Sequence, residues 1–434
     1  MSKFLLLSFL SAYWSVKSNE SNFCEKGSGS CATGADIRSG SSPTQERRDH
    51  MVNNVDFQGT KAKDAYEAAT NVNYFYNYAF IAEQKKMLSD HIRMKAYHSA
   101  IFDNKDYFQG KVVLDVGAGS GVLSMWCAQA GAAHVYAVEY TDMALHAREL
   151  IARNGLSDRV TVIQSSMEDV ELGEGVRVDA IVSEWMGLLL FRESMLDTVI
   201  YARDNFLKPG GTMWPSHAAM YWSMISAETD RQEMEMELTE AEASFQEFVT
   251  AMQIDYGLDY EYWREKYRSE NENYYVYNAV WRELQMQEMV GEAAQIGAWD
   301  LSRVTAEQVQ GVEKTSFRLS VPELMRGSEG EVRRTPRPLS LSGFAGWFTV
   351  QFNGSNEFPA ARPVELSTAP EMGYTHWGQE VCFLRHALSV YAGDTVSGSM
   401  SMTRRKDNKR TYQIELTVIM NTTQIGPYIY DISE

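Results

Sequence analysis

The sequence has few cysteines and no long apolar run. Its 4 cysteines, Cys24, Cys31, Cys127 and Cys382, are too scattered for a disulfide framework or for a metal site of recognisable spacing. We therefore expect reduced thiols and no bound metal. No stretch of the sequence approaches the roughly 20 consecutive apolar residues that cross a bilayer, which excludes a membrane-spanning helix.

Positive charge is also scarce. The chain has 58 acidic residues against 40 lysines and arginines, and its formal net charge is −18. Such a charge repels the phosphates of nucleic acids and attracts a basic protein or peptide. We therefore expect basic protein partners and no direct binding of nucleic acid.

The first 50 residues contain little that could build a core. They are rich in Ser, Gly and small polar residues, which predicts a disordered tail over 1–50. The start, MSKFLLLSFLSAYW, combines one lysine with a short apolar stretch, as a signal peptide does, but the sequence that follows argues against secretion. The protein is expected in the cytoplasm, the nucleus or both.

A length of 434 residues predicts two domains plus appendages. Apolar and aromatic residues recur at helical spacing from about 60 to 103, which predicts two or three short helices within an N-terminal segment over 51–108. Predicted strands then alternate with predicted helices over 109–215. The remaining segment, 216–434, has a different pattern of apolar and polar residues.

The segment 109–215 is typical of an α/β fold. Strands are predicted in KVVLDVGAGSG, HVYAVEY, VTVIQSS and VDAIVSEW, and helices in VLSMWCAQAG, MALHARELIARNG and DTVIYARDNFL, the last closed by KPGG. Strands that alternate with helices predict a parallel, doubly wound sheet with helices on both faces.

The segment after Pro215 begins with a strongly acidic helical stretch, AETDRQEMEMELTEAEASFQEFVTAMQ, and continues with tyrosine-rich sequence to about Tyr275. Short runs that alternate between apolar and polar residues follow, among them SLSGFAGWFTVQFNG, ARPVELSTAP, EVCFLRHALSV and TYQIELTVIM. Turn residues separate these runs. The pattern predicts an antiparallel sheet or barrel.

A glycine-rich turn follows the first predicted strand. G-x-G-x-G begins at Gly117, and Val122 stands where the dinucleotide fingerprint needs its last glycine. Glu139, at the end of the next strand, can accept hydrogen bonds from two ribose hydroxyls. The pattern therefore favours a nucleoside without a pyrophosphate over NAD. Glu168, after the third strand, is placed to reach an adenine amino group.

Two glutamates flank an apolar run in SEWMGLLLFRES. Glu184 lies at the carboxyl end of the fourth predicted strand, where doubly wound sheets bind ligands, and Glu193 returns to the same cavity if a compact loop joins them. Two buried carboxylates repel each other and lose hydration, so a cation must join them. Guanidinium is the natural guest because its planar, forked N–H groups match carboxylates in bidentate geometry.

The order and spacing of these segments resemble the protein arginine methyltransferases. The similarity rests on YFYNYAFIAEQKKMLSDHIR, VLDVGAGSGVLS, AVE, SEWMG, RESMLD and YTHWGQ, and extends from about residue 70 to the C-terminus. The sequence between the motifs is most similar to that of the plant and algal class, which has a long dimerisation arm. The resemblance implies N-terminal helices that cover the cofactor, an S-adenosylmethionine-binding domain over 109–215, and a β-barrel domain over 216–434 with a helical arm over 226–275. It also implies a homodimer that methylates arginine in proteins such as histones and Gly/Arg-rich proteins.

The resemblance further implies roles for individual residues. The catalytic positions are Glu184, Glu193, His376 and Asp90, with Asp90 placed to pair with His376. The cofactor-binding positions are Tyr78, Gln84, Arg93, Asp115, Gly117, Gly119, Glu139 and Glu168. Arg93 is also expected to orient Glu184. The substrate-pocket positions are Tyr74, Met87, Met195 and Trp377, and the two methionines match the asymmetrically dimethylating (type I) class. Leu188 stands where the family commonly has tyrosine, which leaves the substrate preference open.

Two other functions remain as alternatives. A small-molecule methyltransferase would share the cofactor-binding fold, but it would not explain two glutamates together with a THW segment. A non-catalytic cofactor-binding module would keep the fold without turnover, although the intact glycine turn and glutamates argue against such decay.

Overall fold

The computed structural model describes residues 71–327 and 331–432. The predicted tail over 1–50 and the predicted helical segment up to residue 70 lie outside the described residues. Within the described ranges, no helix is long and apolar enough to cross a membrane.

Short helices precede the first strand, as the sequence predicts. They are α1 (71–78), α2 (Ile81–Leu88), α3 (His91–Phe102) and α4 (Lys105–Phe108). Helix α3 begins after Asp90, whose side chain accepts a hydrogen bond from the backbone N–H of Arg93. This N-cap satisfies one of the backbone donors that a helix start leaves without an intrahelical partner.

A five-stranded parallel sheet follows the helices, and it confirms the predicted α/β fold. Its elements are β1 (Val112–Val116), α5 (Val122–Gln129), β2 (His134–Glu139), α6 (Met143–Arg153), β3 (Val160–Gln164), β4 (Val178–Val182), α7 (Met195–Phe206) and β5 (Leu207–Trp214). The strand order is β3-β2-β1-β4-β5. The order reverses between β1 and β4, so the loops after these two strands open the crevice in which such sheets bind ligands.

One detail of this sheet differs from the sequence prediction. KPGG does not only close helix α7, because it lies within β5, an edge strand parallel to β4. An edge strand has one free side, so Pro209 removes no ladder hydrogen bond there. No helix is predicted between β3 and β4, and residues 165–177 form none. Gly173 and Gly175 interrupt this segment with positive φ angles.

The C-terminal half forms antiparallel sheets, which confirms the predicted barrel architecture. Its strands are β6 (His217–Ile225), β7 (Val280–Arg282), β8 (Met289–Asp300), β9 (Gly311–Ser320), β10 (Leu324–Arg326), β11 (Val332–Arg334), β12 (Leu339–Gly354), β13 (Pro359–Ser367), β14 (Gln379–Val390), β15 (Thr395–Arg404), β16 (Tyr412–Met420) and β17 (Thr423–Ile432). One sheet has the order β7-β14-β12-β6-β8 with β13 paired to β12, a second has the order β17-β16-β15-β9, and β10 pairs with β11 in a third. Strand β12 is buried along most of its length rather than on alternate residues, because Phe344 and Phe348 lie in the main core and Ala345 and Trp347 lie in a second apolar cluster.

Two helices lie between β6 and β7, in the segment for which a helical arm is predicted. Helix α8 (Glu228–Tyr256) ends at Gly257, which has the left-handed conformation typical of helix ends, and α9 (Arg264–Tyr275) returns along it. Arg264 of α9 connects the two helices. Its guanidinium forms an ion pair with Glu242 of α8 at 2.7 Å and lies 5.3 Å from the ring centroid of Phe245.

One continuous hydrophobic core joins the parallel sheet to the barrel. Buried residues of β1 and β4, such as Leu114 and Ile181, belong to the same cluster as Phe344 and Phe348 of β12. A site between the two halves is therefore built on rigid elements.

The barrel contains a buried carboxyl group, Glu380 of β14, whose side chain is 2% exposed. Burial raises its pKa from 4.5 to about 7, although the charge of Arg192 opposes the shift. The folded state therefore binds more protons than the unfolded chain between these values, and stability falls as pH rises through the window.

We expect Glu380→Gln to remove this pH-dependent cost. Between pH 5 and pH 8 the wild type should lose about 2–3 kcal/mol of unfolding free energy relative to the variant. Urea denaturation at the two pH values measures the difference, with exposed Glu371→Gln as the control. A difference between the wild type and Glu380→Gln that stays constant with pH would contradict the assignment.

Candidate active site

The glycine turn after β1 is held against the end of β2. Gly117 and Gly119 have φ angles of +71° and +53°, which a Cβ would make unfavourable. The backbone N–H of Gly119 donates to Glu139 Oε2 at 2.9 Å, and Thr141 donates to Oε1 from its N–H and its hydroxyl at 2.7 Å each. Glu139 is thereby fixed as a buried acceptor at the sheet edge, and Oε2 retains a lone pair for a further donor.

Two side chains lie directly over this turn. A Cβ at Gly117 would meet Met195 Cε at 2.2 Å, and a Cβ at Gly119 would meet Gln84 Oε1 at 2.9 Å. Gln84 is buried and donates from Nε2 to the Tyr78 carbonyl oxygen at 3.3 Å. The N-terminal helices and the start of α7 therefore close over the turn, and only glycine leaves them room.

Arg93 and Glu184 form a buried ion pair at the carboxyl end of β4. Glu184 Oε2 accepts from Arg93 Nε at 3.0 Å and lies 2.9 Å from Nη2, and the two side chains are 9% and 10% exposed. Arg93 Nη1 also donates to the Met87 carbonyl oxygen at 3.2 Å. The predicted contact that orients Glu184 is therefore present.

One oxygen of Glu184 remains without a partner. Oε1 is buried, and the described part of the chain offers it no hydrogen bond. A buried carboxylate oxygen that lacks a donor carries a desolvation penalty. It is an acceptor that a ligand with N–H groups can satisfy.

The loop between the two glutamates is compact, as predicted, and its backbone is strained. Gly187 forms a bridge with Leu190, and a Cβ at Gly187 would meet the Arg192 carbonyl oxygen at 1.9 Å. Leu189, Leu190, Glu193 and Ser194 have positive φ angles, which cost energy in residues other than glycine.

Packing against the barrel holds this loop. Trp377 Nε1 donates to the Met186 carbonyl oxygen at 2.7 Å, and a Cβ at Gly346 of β12 would lie only 2.5 Å from Leu189 Cδ1. Trp377 is buried and contacts the ring of Phe348. Leu188 packs against the core from a partly buried position.

Glu193 sits beneath the N-terminal helix α1. The Tyr78 hydroxyl donates to Glu193 Oε2 at 2.8 Å. Burial raises the pKa of the Glu193 carboxyl, while the charge of Arg192 and the hydroxyls of Tyr78 and Tyr74 offset part of the rise. Glu184 adds to the rise by repulsion, so the two carboxylates interact as the sequence predicts.

His376 and Asp90 pair as predicted. Asp90 Oδ2 lies 2.8 Å from His376 Nδ1 and accepts from the His376 backbone N–H at 2.9 Å. Burial alone would raise the pKa of Asp90, but the hydrogen bonds from His376 and from the Arg93 N–H leave it below the usual value. The pair joins helix α3 to the THW segment.

The other predicted residues lie in different surroundings. Asp115 is fully buried and accepts from the Ser124 hydroxyl at 2.6 Å. Glu168 is exposed and accepts from the Thr198 hydroxyl at 3.1 Å. Met87 is partly buried in the last turn of helix α2. Their proposed contacts with cofactor or substrate remain predictions.

The sequence prediction missed Arg410, in the turn between β15 and β16. Its Nη1 donates to the Glu193 carbonyl oxygen at 2.8 Å, and its guanidinium lies 3.8 Å from the ring centroid of Tyr74. Nothing in the sequence pattern signals this contact, because 217 positions separate Arg410 from Glu193.

Comparisons with known proteins agree with this geometry. Residues 113–211 match a family model described as a methyltransferase domain, and residues 241–423 match one described as the arginine methyltransferase oligomerization subdomain. Protein arginine N-methyltransferase PRMT10 of Oryza sativa subsp. japonica is 46% identical over 346 residues, which cover 80% of this chain and 87% of the relative.

Solved structures give the same result. Protein arginine methyltransferase 10 of Arabidopsis thaliana has 40% identity and a TM-score of 0.77, with 83% of this chain and 100% of the other covered. The PRMT1 enzyme–prozyme heterotetramer of Trypanosoma brucei, solved with AdoHcy, has 28% identity and a TM-score of 0.65, with 82% and 99% covered. Identity of this extent over both halves of the fold makes the chain a member of the protein arginine N-methyltransferase family.

Proposed function

We propose that this protein transfers methyl groups from S-adenosylmethionine to guanidino nitrogens of arginine in basic proteins such as histones and Gly/Arg-rich proteins, giving mono- and asymmetric dimethylarginine. The observation that carries the proposal is the buried, unpartnered Oε1 of Glu184, which can accept from a guanidinium N–H. The second carboxylate, Glu193, interacts electrostatically with the first.

The residues around the glycine turn fit the cofactor. S-adenosylmethionine would supply a methyl group on a positively charged sulfur, and the sulfur would leave as a neutral thioether when the methyl is transferred. Glu139 would accept from the ribose hydroxyls, beside a turn at which Gly117 and Gly119 let Met195 and Gln84 lie against the backbone. Gln84, which lies over Gly119, and Arg93, which pairs with Glu184, would line the cofactor crevice.

The two glutamates would hold and polarise the substrate. Arginine has a pKa above 12, so its guanidinium enters the site as a cation. Each carboxylate about 4 Å away contributes on the order of 4 kcal/mol at an effective dielectric of about 20. Charge drawn toward the nitrogens beside Glu184 and Glu193 leaves the third nitrogen the better nucleophile.

We take Glu193 as the acceptor of the proton that leaves the nitrogen. Burial raises the pKa of Glu193, which makes it a better base. The alternative acceptor is the His376 imidazole, which pairs with Asp90 and joins the THW segment to α3. Met87 and Met195 would border the substrate nitrogens, which supports asymmetric dimethylation.

Mass spectrometry of a methylated peptide tests the proposal. The protein is incubated with S-adenosylmethionine and a Gly/Arg-rich peptide, and methylarginines are identified in the product. Mono- and asymmetric dimethylarginine are expected. Methyl transfer to small metabolites alone would favour a small-molecule methyltransferase, and cofactor binding without any transfer would favour a non-catalytic module.

We also propose a homodimer formed through the helical arm. The match to an oligomerization subdomain supports assembly, and the tip of the arm exposes apolar side chains. Tyr262 is 92% exposed and Trp263 is 52% exposed. Aromatic side chains of this kind are typical of interface hot spots.

Replacing both Tyr262 and Trp263 with serine should separate the dimer. The dissociation constant is expected to rise at least about a hundredfold, with loss of most activity at low protein concentration. Sedimentation equilibrium and peptide methylation measure the two effects, with Leu324→Ser on β10 as an exposed apolar control. A monomeric variant with full activity would contradict the proposal.

A further inference from the structure

Hydrogen bonds within the turn between β15 and β16 hold the backbone of Arg410. Its backbone N–H donates to Asn408 Oδ1 at 3.0 Å, and the Thr411 N–H donates to the Asn408 carbonyl oxygen at 3.1 Å. Asn408 is buried, and the Arg405 N–H donates to the Thr411 carbonyl oxygen at 3.0 Å. The barrel therefore presents Arg410 from a rigid support.

The guanidinium of Arg410 connects this support to helix α1. It lies 3.8 Å from the ring centroid of Tyr74 and 4.9 Å from that of Phe75. Nε donates to Asn71 Oδ1 at 2.7 Å. A cation over aromatic faces, with an added hydrogen bond, attaches α1 to the barrel.

The same side chain reaches the loop that carries Glu193. Arg410 Nη1 donates to the Glu193 carbonyl oxygen at 2.8 Å, and the Glu193 N–H donates to the Arg410 carbonyl oxygen at 2.8 Å. The next residue, Ser194, donates from Oγ to the Lys409 carbonyl oxygen at 2.5 Å. Glu193 has a φ angle of +82°, a strained conformation that such bonds can hold.

The contact leaves the Glu193 carboxylate available. A guanidinium that paired with this carboxylate would compete with a substrate guanidinium, but here the bond goes to the backbone carbonyl oxygen. The carboxylate instead accepts from Tyr78, a residue of α1. Glu193 is thus hydrogen-bonded through its backbone to Arg410 of the barrel and through its carboxylate to Tyr78 of helix α1.

We propose that Arg410 is a positioning residue that couples closure of helix α1 over the site to the orientation of Glu193. The proposal rests on the proposed function, in which Glu193 contacts the substrate. Loss of the guanidinium would free α1 and let the Glu193 backbone relax out of its strained conformation, so both effects should appear together.

Arg410→Met tests the coupling, with Arg410→Lys as the conservative variant and exposed Lys406→Gln on the same turn as the charge control. Because small misplacements of catalytic groups are costly, kcat on a Gly/Arg-rich peptide should fall at least about tenfold in Arg410→Met. Arg410→Lys keeps the charge but not the fork and should fall between wild type and Arg410→Met, whereas Lys406→Gln should match the wild type.

Amide hydrogen exchange supplies a readout that does not depend on activity. In Arg410→Met, exchange should increase at least about tenfold in residues 71–78 and in the 184–194 loop, while the barrel strands stay protected. A general structural role would instead raise exchange across β15 and β16. Wild-type kcat, or unchanged exchange in 71–78, would overturn the proposal.

The two proposals can fail separately. If the wild type methylates no arginine peptide, the proposed function fails, and the exchange data still decide whether Arg410 holds α1 and the glutamate loop together. If the wild type is active and Arg410→Met is equally active, only the role of Arg410 is lost.

Discussion

Replacing Glu193 with glutamine is expected to lower kcat about a hundredfold to a thousandfold, because one carboxylate charge near the guanidinium is worth on the order of 4 kcal/mol. The amide keeps the size of the side chain and can still accept from the Tyr78 hydroxyl. It cannot balance the substrate charge or accept the departing proton. The affinity for S-adenosylmethionine should change less than about twofold, since the cofactor residues around the glycine turn are untouched.

Steady-state kinetics on an arginine peptide and calorimetric titration of the cofactor separate these effects. Glu371→Gln removes the same charge from an exposed position and should behave as the wild type. An unchanged kcat in Glu193→Gln would remove Glu193 from the mechanism. A large loss of cofactor affinity would show that Glu193 binds the cofactor rather than the substrate guanidinium.

Breaking the Arg93–Glu184 pair should have the largest effect on stability. Arg93→Met leaves a buried carboxylate uncompensated, and Glu184→Leu leaves a buried guanidinium in the same state. Each single variant is expected to lose about 3–5 kcal/mol of unfolding free energy. The double variant, with apolar side chains at both positions, should recover most of that loss but none of the methyltransferase activity.

Urea unfolding and peptide methylation on all four proteins measure this cycle. Recovery of stability without activity would show that the pair serves the site rather than the fold. Near-additive losses of stability would contradict direct pairing, and activity in the double variant would contradict a role for Glu184 in holding the guanidinium.

Local sequence patterns predicted most of the fold for a physical reason. Strands β1 to β4 are short apolar runs between turn signals, and burial on both faces of a parallel sheet requires such runs. Strand β5 was missed because Pro209 and the following glycines indicate a turn, and only the position of the strand at the sheet edge permits them.

The site could be predicted where the chemistry is local. Gly117 and Glu139 lie at the ends of neighbouring strands, and Glu184 and Glu193 share one loop, so spacing alone brings each pair near the other. The pairing of His376 with Asp90 came from the resemblance, since 286 positions separate them. The sequence did not reveal the role of Arg410, because its contacts with Asn71 and Glu193 form only when the barrel packs against the helices.

A structure of the protein with S-adenosylhomocysteine and an arginine peptide tests the central claim most directly. The target guanidinium should lie between the carboxylates of Glu184 and Glu193, with Glu184 Oε1 accepting one of its N–H groups. A complex in which either carboxylate faces bulk solvent, or in which the arginine binds elsewhere, would contradict the account.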